Sequence, residues 1–187
     1  MKKVIVSIAV AIAAVCGHAA TVNWTCTNVY AGNSTDKSTG IAYFVTTATL
    51  ADASSLSGKS ADEITAALGS SYKFLPSAAG TYSVTAANAV ENSALGLTAA
   101  SSVTAYLVIF NGATIADSTS FFATGTKTFT TMEGANNVSV SFGTQKTASQ
   151  APWSGSIGGG GGDVPEPTSG LLLLIGGAMM ALRRKQK

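Results

Sequence analysis

Apolar and polar positions alternate through residues 21–153 with the period of strands rather than helices. Trp24-Thr25-Cys26-Thr27 continues to Tyr30, and residues 41–50 are rich in β-branched and aromatic side chains. Thr81-Tyr82-Ser83-Val84-Thr85 alternates, as does Ser139-Val140-Ser141-Phe142. The strongest run is 103–110, followed by Asn111-Gly112 and a shorter run over 113–116. Asn-Gly between two strand-like runs predicts a type I′ hairpin, because both central residues of that turn need positive φ. Phe121-Phe122 and residues 126–131 add two further candidate strands. Strands recurring about every ten residues between polar turns predict a mainly β domain, an antiparallel β-sandwich or barrel-like body.

One segment breaks the period. Ser60-Ala61-Asp62-Glu63 has the order of a capping box, in which the serine hydroxyl accepts from the Glu63 backbone and the Glu63 carboxylate reaches back. Ile64, Ala67 and Leu68 then share one face, and Gly69 supplies a stop. A short helix over 61–68, packed over one end of the sheet, follows.

Both ends of the chain are continuous apolar runs beside basic residues. Met1-Lys2-Lys3, the run 4–15 and the small residues Gly17-His18-Ala19-Ala20 have the layout of a secretory signal peptide, here a signal helix over 1–20 cut after Ala19 or Ala20. That layout makes the Sec export machinery a partner. Cys16 does not make a lipoprotein site, because Val15 is too large for the position before a lipidated cysteine. At the other end, an uncharged stretch holds Leu171, Leu172, Leu173, Leu174 and Ile175 and closes at Leu182. Arg183, Arg184 and Lys185 follow directly. Basic residues resist translocation, so this end predicts a short transmembrane helix over 171–182 with the body outside. Even fifteen helical positions, 168–182, reach only about 22 Å, short of the roughly 30 Å of a bilayer core. Such an anchor is marginal, which suits a temporary attachment.

Loss of the signal peptide changes the available chemistry. The only histidine, His18, leaves with it, and Cys26 remains as the single cysteine. Without histidine there is no Ser-His-Asp or Cys-His nucleophile and no histidine-bound metal. With one thiol there is no intrachain disulfide, and Cys26 reads as a small buried hydrophobe in a strand. Residues 21–153 carry five lysines against seven acids and no arginine, a formal net charge of −2. That body lacks the basic footprint of a nucleic-acid binder. Asn33-Ser34-Thr35-Asp36 lacks the EF-hand pattern and reads as a loop, so neither a metal nor another cofactor is expected. Carboxylate-pair hydrolysis has no evident pair of acids to use.

Residues 154–163 include five consecutive glycines and read as a linker between the extracellular domain, 21–153, and the tail, 164–187. Within that tail Pro165 and Pro167 hold Glu166 in an extended segment that cannot enter a helix. The order of Pro165-Glu166-Pro167, an apolar run and the basic cluster Arg183-Arg184-Lys185 resembles the PEP-CTERM protein-sorting signal. The resemblance covers about 24 of 187 residues. It implies recognition by a membrane enzyme, an exosortase, with Pro165, Glu166 and Pro167 as the recognition motif. The apolar run would be the membrane segment and Arg183, Arg184 and Lys185 the retention cluster. The Leu-Pro-x-Thr-Gly motif of the similarly arranged sortase signal is absent.

These observations predict an exported, non-enzymatic surface or extracellular-matrix protein, anchored in the inner membrane before processing. The alternative is a carbohydrate-binding module for matrix polysaccharide. Its candidate sugar contacts would be Trp24 and Trp153, which flank the body.

Overall fold

The computed structural model describes residues 19–31, 35–145, 153 and 155–158. In chain order the strands and the helix are β1 (Thr21–Thr27), β2 (Ala42–Thr46), α1 (Ala61–Leu68), β3 (Tyr72–Phe74), β4 (Tyr82–Val84) and β5 (Val90–Glu91). They continue as β6 (Ser102–Phe110), β7 (Ser120–Ala123), β8 (Lys127–Thr130), β9 (Asn137–Thr144) and β10 (Gly155–Ser156). The fold is mainly β, two sheets and one α-helix, as the alternation predicts. The expected signal helix over 1–20 and membrane helix over 171–182 lie outside the described residues, save Ala19 and Ala20. Among the described residues no helix is long and apolar enough to cross a membrane.

β6 is the strand on which the larger sheet is built. Its last six residues, 105–110, are all buried, because both of its faces are covered. β2 runs antiparallel along one edge, from Ala42 opposite Ile109 to Thr46 opposite Ala105, and β3 pairs with β2. The other edge is shared: β8 pairs with the first half of β6 and β7 with the second. Between them Thr124 completes the ladder. The Leu107 N–H donates to Thr124 Oγ1 at 2.9 Å, and the Thr124 N–H donates to the Leu107 carbonyl at 3.0 Å. A buried N–H left without a partner here would cost about 1–3 kcal/mol.

The smaller sheet is centred on β1, with β4 and β5 antiparallel on one side. β9 lies on the other side and runs parallel to β1, from Thr21 opposite Asn137 to Thr27 opposite Thr144. The expected antiparallel order is corrected at this pair. Parallel partners need a long connection, and here the connection is the whole of the body between β1 and β9.

The inward faces of the two sheets enclose one core, which contains Trp24, Phe44, Leu107, Tyr82 and Phe142. A second core lies on the outer face of the larger sheet, where Ile64 and Leu68 of α1 and Leu56 of a 3-10 turn (Ala53–Leu56) cover Val45, Val108 and Phe110. The helix thus covers a face of the sheet, not one end of it. Its capping box forms as expected: the Glu63 N–H donates to Ser60 Oγ at 3.3 Å, and the Ser60 N–H donates to Glu63 Oε2 at 2.9 Å. Gly69 ends it at φ +49°, its N–H donating to the Thr65 carbonyl.

The type I′ hairpin at Asn111-Gly112 does not form, since neither residue has positive φ. Asn111 closes a longer loop with its side chain instead. Its Oδ1 accepts from the Thr119 and Ser120 N–H groups at 2.9 and 3.2 Å. Ile115, in the run expected to be a strand, drops into the second core, and the partner of β6 is β7.

Candidate functional site

The outward side chains of β1, Thr21, Asn23, Thr25 and Thr27, stand beside Asn137, Ser139 and Ser141 of β9. They form a neutral face of hydroxyls and amides. Hydroxyl pairs recur across the sheets, Thr27 with Thr144 at 3.2 Å and Thr104 with Thr128 at 2.8 Å, and Ser77 of the turn before β4 pairs with Ser83 at 2.9 Å. A shallow cavity of about 260 Å³ over this face is lined by Asn23, Thr25, Thr85, Ser139 and Ser141 among others. A second, of about 320 Å³, lies between Asp52, Tyr106, Thr124 and Thr126. There the Asp52 carboxylate accepts from the Ser54 N–H at 2.8 Å, and the Tyr106 hydroxyl donates to the Leu50 carbonyl at 2.8 Å. Burial, with Asp52 nearby, pushes the Tyr106 phenol up to about 12.

Several of the acids serve local structure. Glu63 closes the helix cap, and the Ser60 backbone and side-chain hydrogen bonds hold its carboxyl below the usual range. Asp117 accepts from the Thr114 hydroxyl at 2.7 Å, and Glu91 from the Ser93 hydroxyl at 3.2 Å. Among the described residues no group of three or more histidines, cysteines and acids is placed to hold a metal. Cys26 is fully buried in β1 and free, as a small hydrophobe would be. Burial pushes its thiol up to about 11, against the lowering effect of a hydrogen bond with the Gln145 side chain.

Trp24, a candidate sugar contact, does not reach the surface. It is wholly buried, its ring 4.9 Å from that of Phe44 and 5.2 Å from that of Phe74. A β-strand places alternate side chains inward, and Trp24 shares its inward parity with Val22 and Cys26. Its indole N–H has no hydrogen-bond partner there. Trp153 is half-buried, its ring centre 6.5 Å from that of Phe122. Its indole N–H donates to the Tyr30 carbonyl.

Trp153 belongs to a segment that sequence reasoning assigned to the domain boundary and the linker. β10 pairs antiparallel with β7, Gly155 opposite Phe121 and Ser156 opposite Ser120. The Ile157 N–H then donates to the Thr119 carbonyl, and the Gly158 N–H to the Lys59 carbonyl, both at 3.0 Å. On the opposite edge the Gly58 N–H donates to the Ser156 carbonyl at 2.8 Å. The remainder of the expected linker lies outside the described residues.

So do Pro165, Glu166 and Pro167, the apolar positions Leu171, Leu172, Leu173, Leu174, Ile175 and Leu182, and the cluster Arg183, Arg184 and Lys185. Comparison with known proteins bears on these residues. Residues 163–186 match the family model of the PEP-CTERM protein-sorting motif. No curated protein and no solved structure matches the chain. The motif makes an exosortase the processing partner and implies export with a membrane-anchored C-terminus before processing.

Proposed function

We propose that this PEP-CTERM protein is a non-enzymatic component of the cell surface or extracellular matrix, delivered by exosortase processing of its tail. The match over residues 163–186 carries the reading. Pro165, Glu166 and Pro167 are the recognised motif, residues 171–182 the temporary anchor, and Arg183, Arg184 and Lys185 the cluster that stays on the cytoplasmic side. The character of the body supports a passive role. Residues 21–187 contain no histidine, the thiol of Cys26 is buried and protonated at neutral pH, and the outward face of β1 and β9 is neutral hydroxyl and amide. Such a surface hydrates well and carries little charge.

Intact mass spectrometry of the protein from two hosts tests this. A host with a working exosortase yields a product lacking Arg183 and Arg184, found at the surface or in the matrix. A host without the enzyme accumulates the membrane-bound chain with its tail in place. Equal masses and locations in the two hosts would reject the proposal.

A further inference from the structure

Trp153 and residues 155–158 are fitted to the body, and Gly155 and Gly158 serve close approach rather than flexibility. A Cβ on Gly155 would run into the Phe121 ring, and one on Gly158 would meet the Gly58 carbonyl oxygen. Phe121 is itself buried in the second core, so its ring has little room to give. Ile157 packs against that same core. The segment is hydrogen-bonded on both edges, to β7 and Thr119 on one side and to the turn at Gly58 and Lys59 on the other. The indole of Trp153 pins its start to Tyr30.

We propose that this docked strap positions the sorting motif for its enzyme by fixing how far Pro165 can stand from the folded body. The proposal rests on the reading that an exosortase acts at Pro165, Glu166 and Pro167. From Gly158 to Pro165 there are seven residue steps, which span at most about 25 Å. Measured from Gln145, the end of the preceding strand region, there are twenty, which span about 70 Å. Docking therefore cuts the reach of the motif by nearly two thirds. The body is kept against the membrane enzyme while the tail is cut, and the seven steps from Gly158 to Pro165 are all the chain length that remains. Gly155, Ile157 and Trp153 are positioning residues in this sense, since they act through chain length and not by touching the enzyme.

Chain length gives a test that a merely structural role would not satisfy. Four full-length forms are expressed in a host with a working exosortase: wild type, Gly155→Val, deletion of residues 160–162, and the two changes combined. Tail removal is followed by intact mass, and strap docking by amide hydrogen exchange. In the wild type the Ile157 and Gly158 amides exchange slowly. In Gly155→Val they exchange as in a free peptide, while β6 stays protected. Deletion alone abolishes most tail removal, and the combined form restores it because the released strap supplies the missing length. Should Gly155→Val also loosen β6, Ile157→Ser releases the strap with less disturbance to Phe121 and replaces it in both forms. Free exchange of Ile157 and Gly158 in the wild type overturns the proposal. So does a deletion that is equally harmful, or equally harmless, with the strap docked and released. A wild type that keeps its tail in this host would sink the exosortase reading itself and this inference with it. A normally processed wild type without the double-variant pattern sinks only the strap.

Discussion

Tyr82 shows how single polar atoms are placed inside this sandwich. Its hydroxyl donates to the Gly40 carbonyl at 2.9 Å and pairs with Ser38 Oγ at 2.7 Å. Gly40 sits so close to β6 that a Cβ there would strike the Phe110 carbonyl oxygen. Tyr82→Phe leaves a buried carbonyl and hydroxyl short of a partner. It should lower stability by about 1–3 kcal/mol, read as a lower midpoint in chemical denaturation. Burial also raises Tyr82 and Tyr106 to about 12 and Cys26 to about 11. All three are acids held neutral in the fold. Above the ordinary thiol and phenol range the unfolded chain loses protons that the folded chain keeps, so stability falls as pH rises, between about 9 and 12. Each group left unmatched in this way contributes about 1.4 kcal/mol per pH unit. Thermal melts should therefore be steady through neutral pH and drop steeply above about pH 9, with Cys26→Ala removing the earliest part of the fall. The same burial made Trp24 misleading from sequence. An aromatic near the start of a body looks available to a ligand, and only the parity of β1 shows which way it points.

Among the elements, those governed by neighbours in sequence were legible. The helix falls over Ala61–Leu68 as expected, because a capping box is decided within four residues. Ser60→Ala removes the acceptor for the Glu63 N–H and should cost about 0.5–2 kcal/mol, measurable as an earlier urea midpoint. The Glu63 part of that stability is present above the ordinary carboxylate range. It is lost as pH falls through the lowered value that the Ser60 hydrogen bonds produce. Elements decided by distant partners were not legible. Asn111-Gly112 has the composition of a tight turn, yet burial of Ile115 and the hydrogen bonds from Thr119 and Ser120 to Asn111 favour a longer loop. Gly155–Ser156 reads as linker by composition, and only the shape of the Phe121 ring beneath it shows why glycine is required. The parallel register of β1 and β9 has no local signature at all.

For the whole molecule, the tail speaks of delivery and the body of long-range packing. The sorting motif could be read in full from Pro165, Glu166 and Pro167 and the basic cluster, since its recognition depends on order along the chain rather than on folding. The three layers of the body, sheet on sheet with a helical cover, emerge only from contacts between strands far apart in sequence. The partnership of β1 and β9 then sets a timetable for export. The first strand of the body emerges early, yet the neighbour that completes its sheet is Asn137–Thr144. More than a hundred residues must clear the secretion pore before the sandwich can close. That closing strand ends about twenty residues ahead of the sorting motif at 163–186, so the sheet is completed only when nearly the whole body has been made.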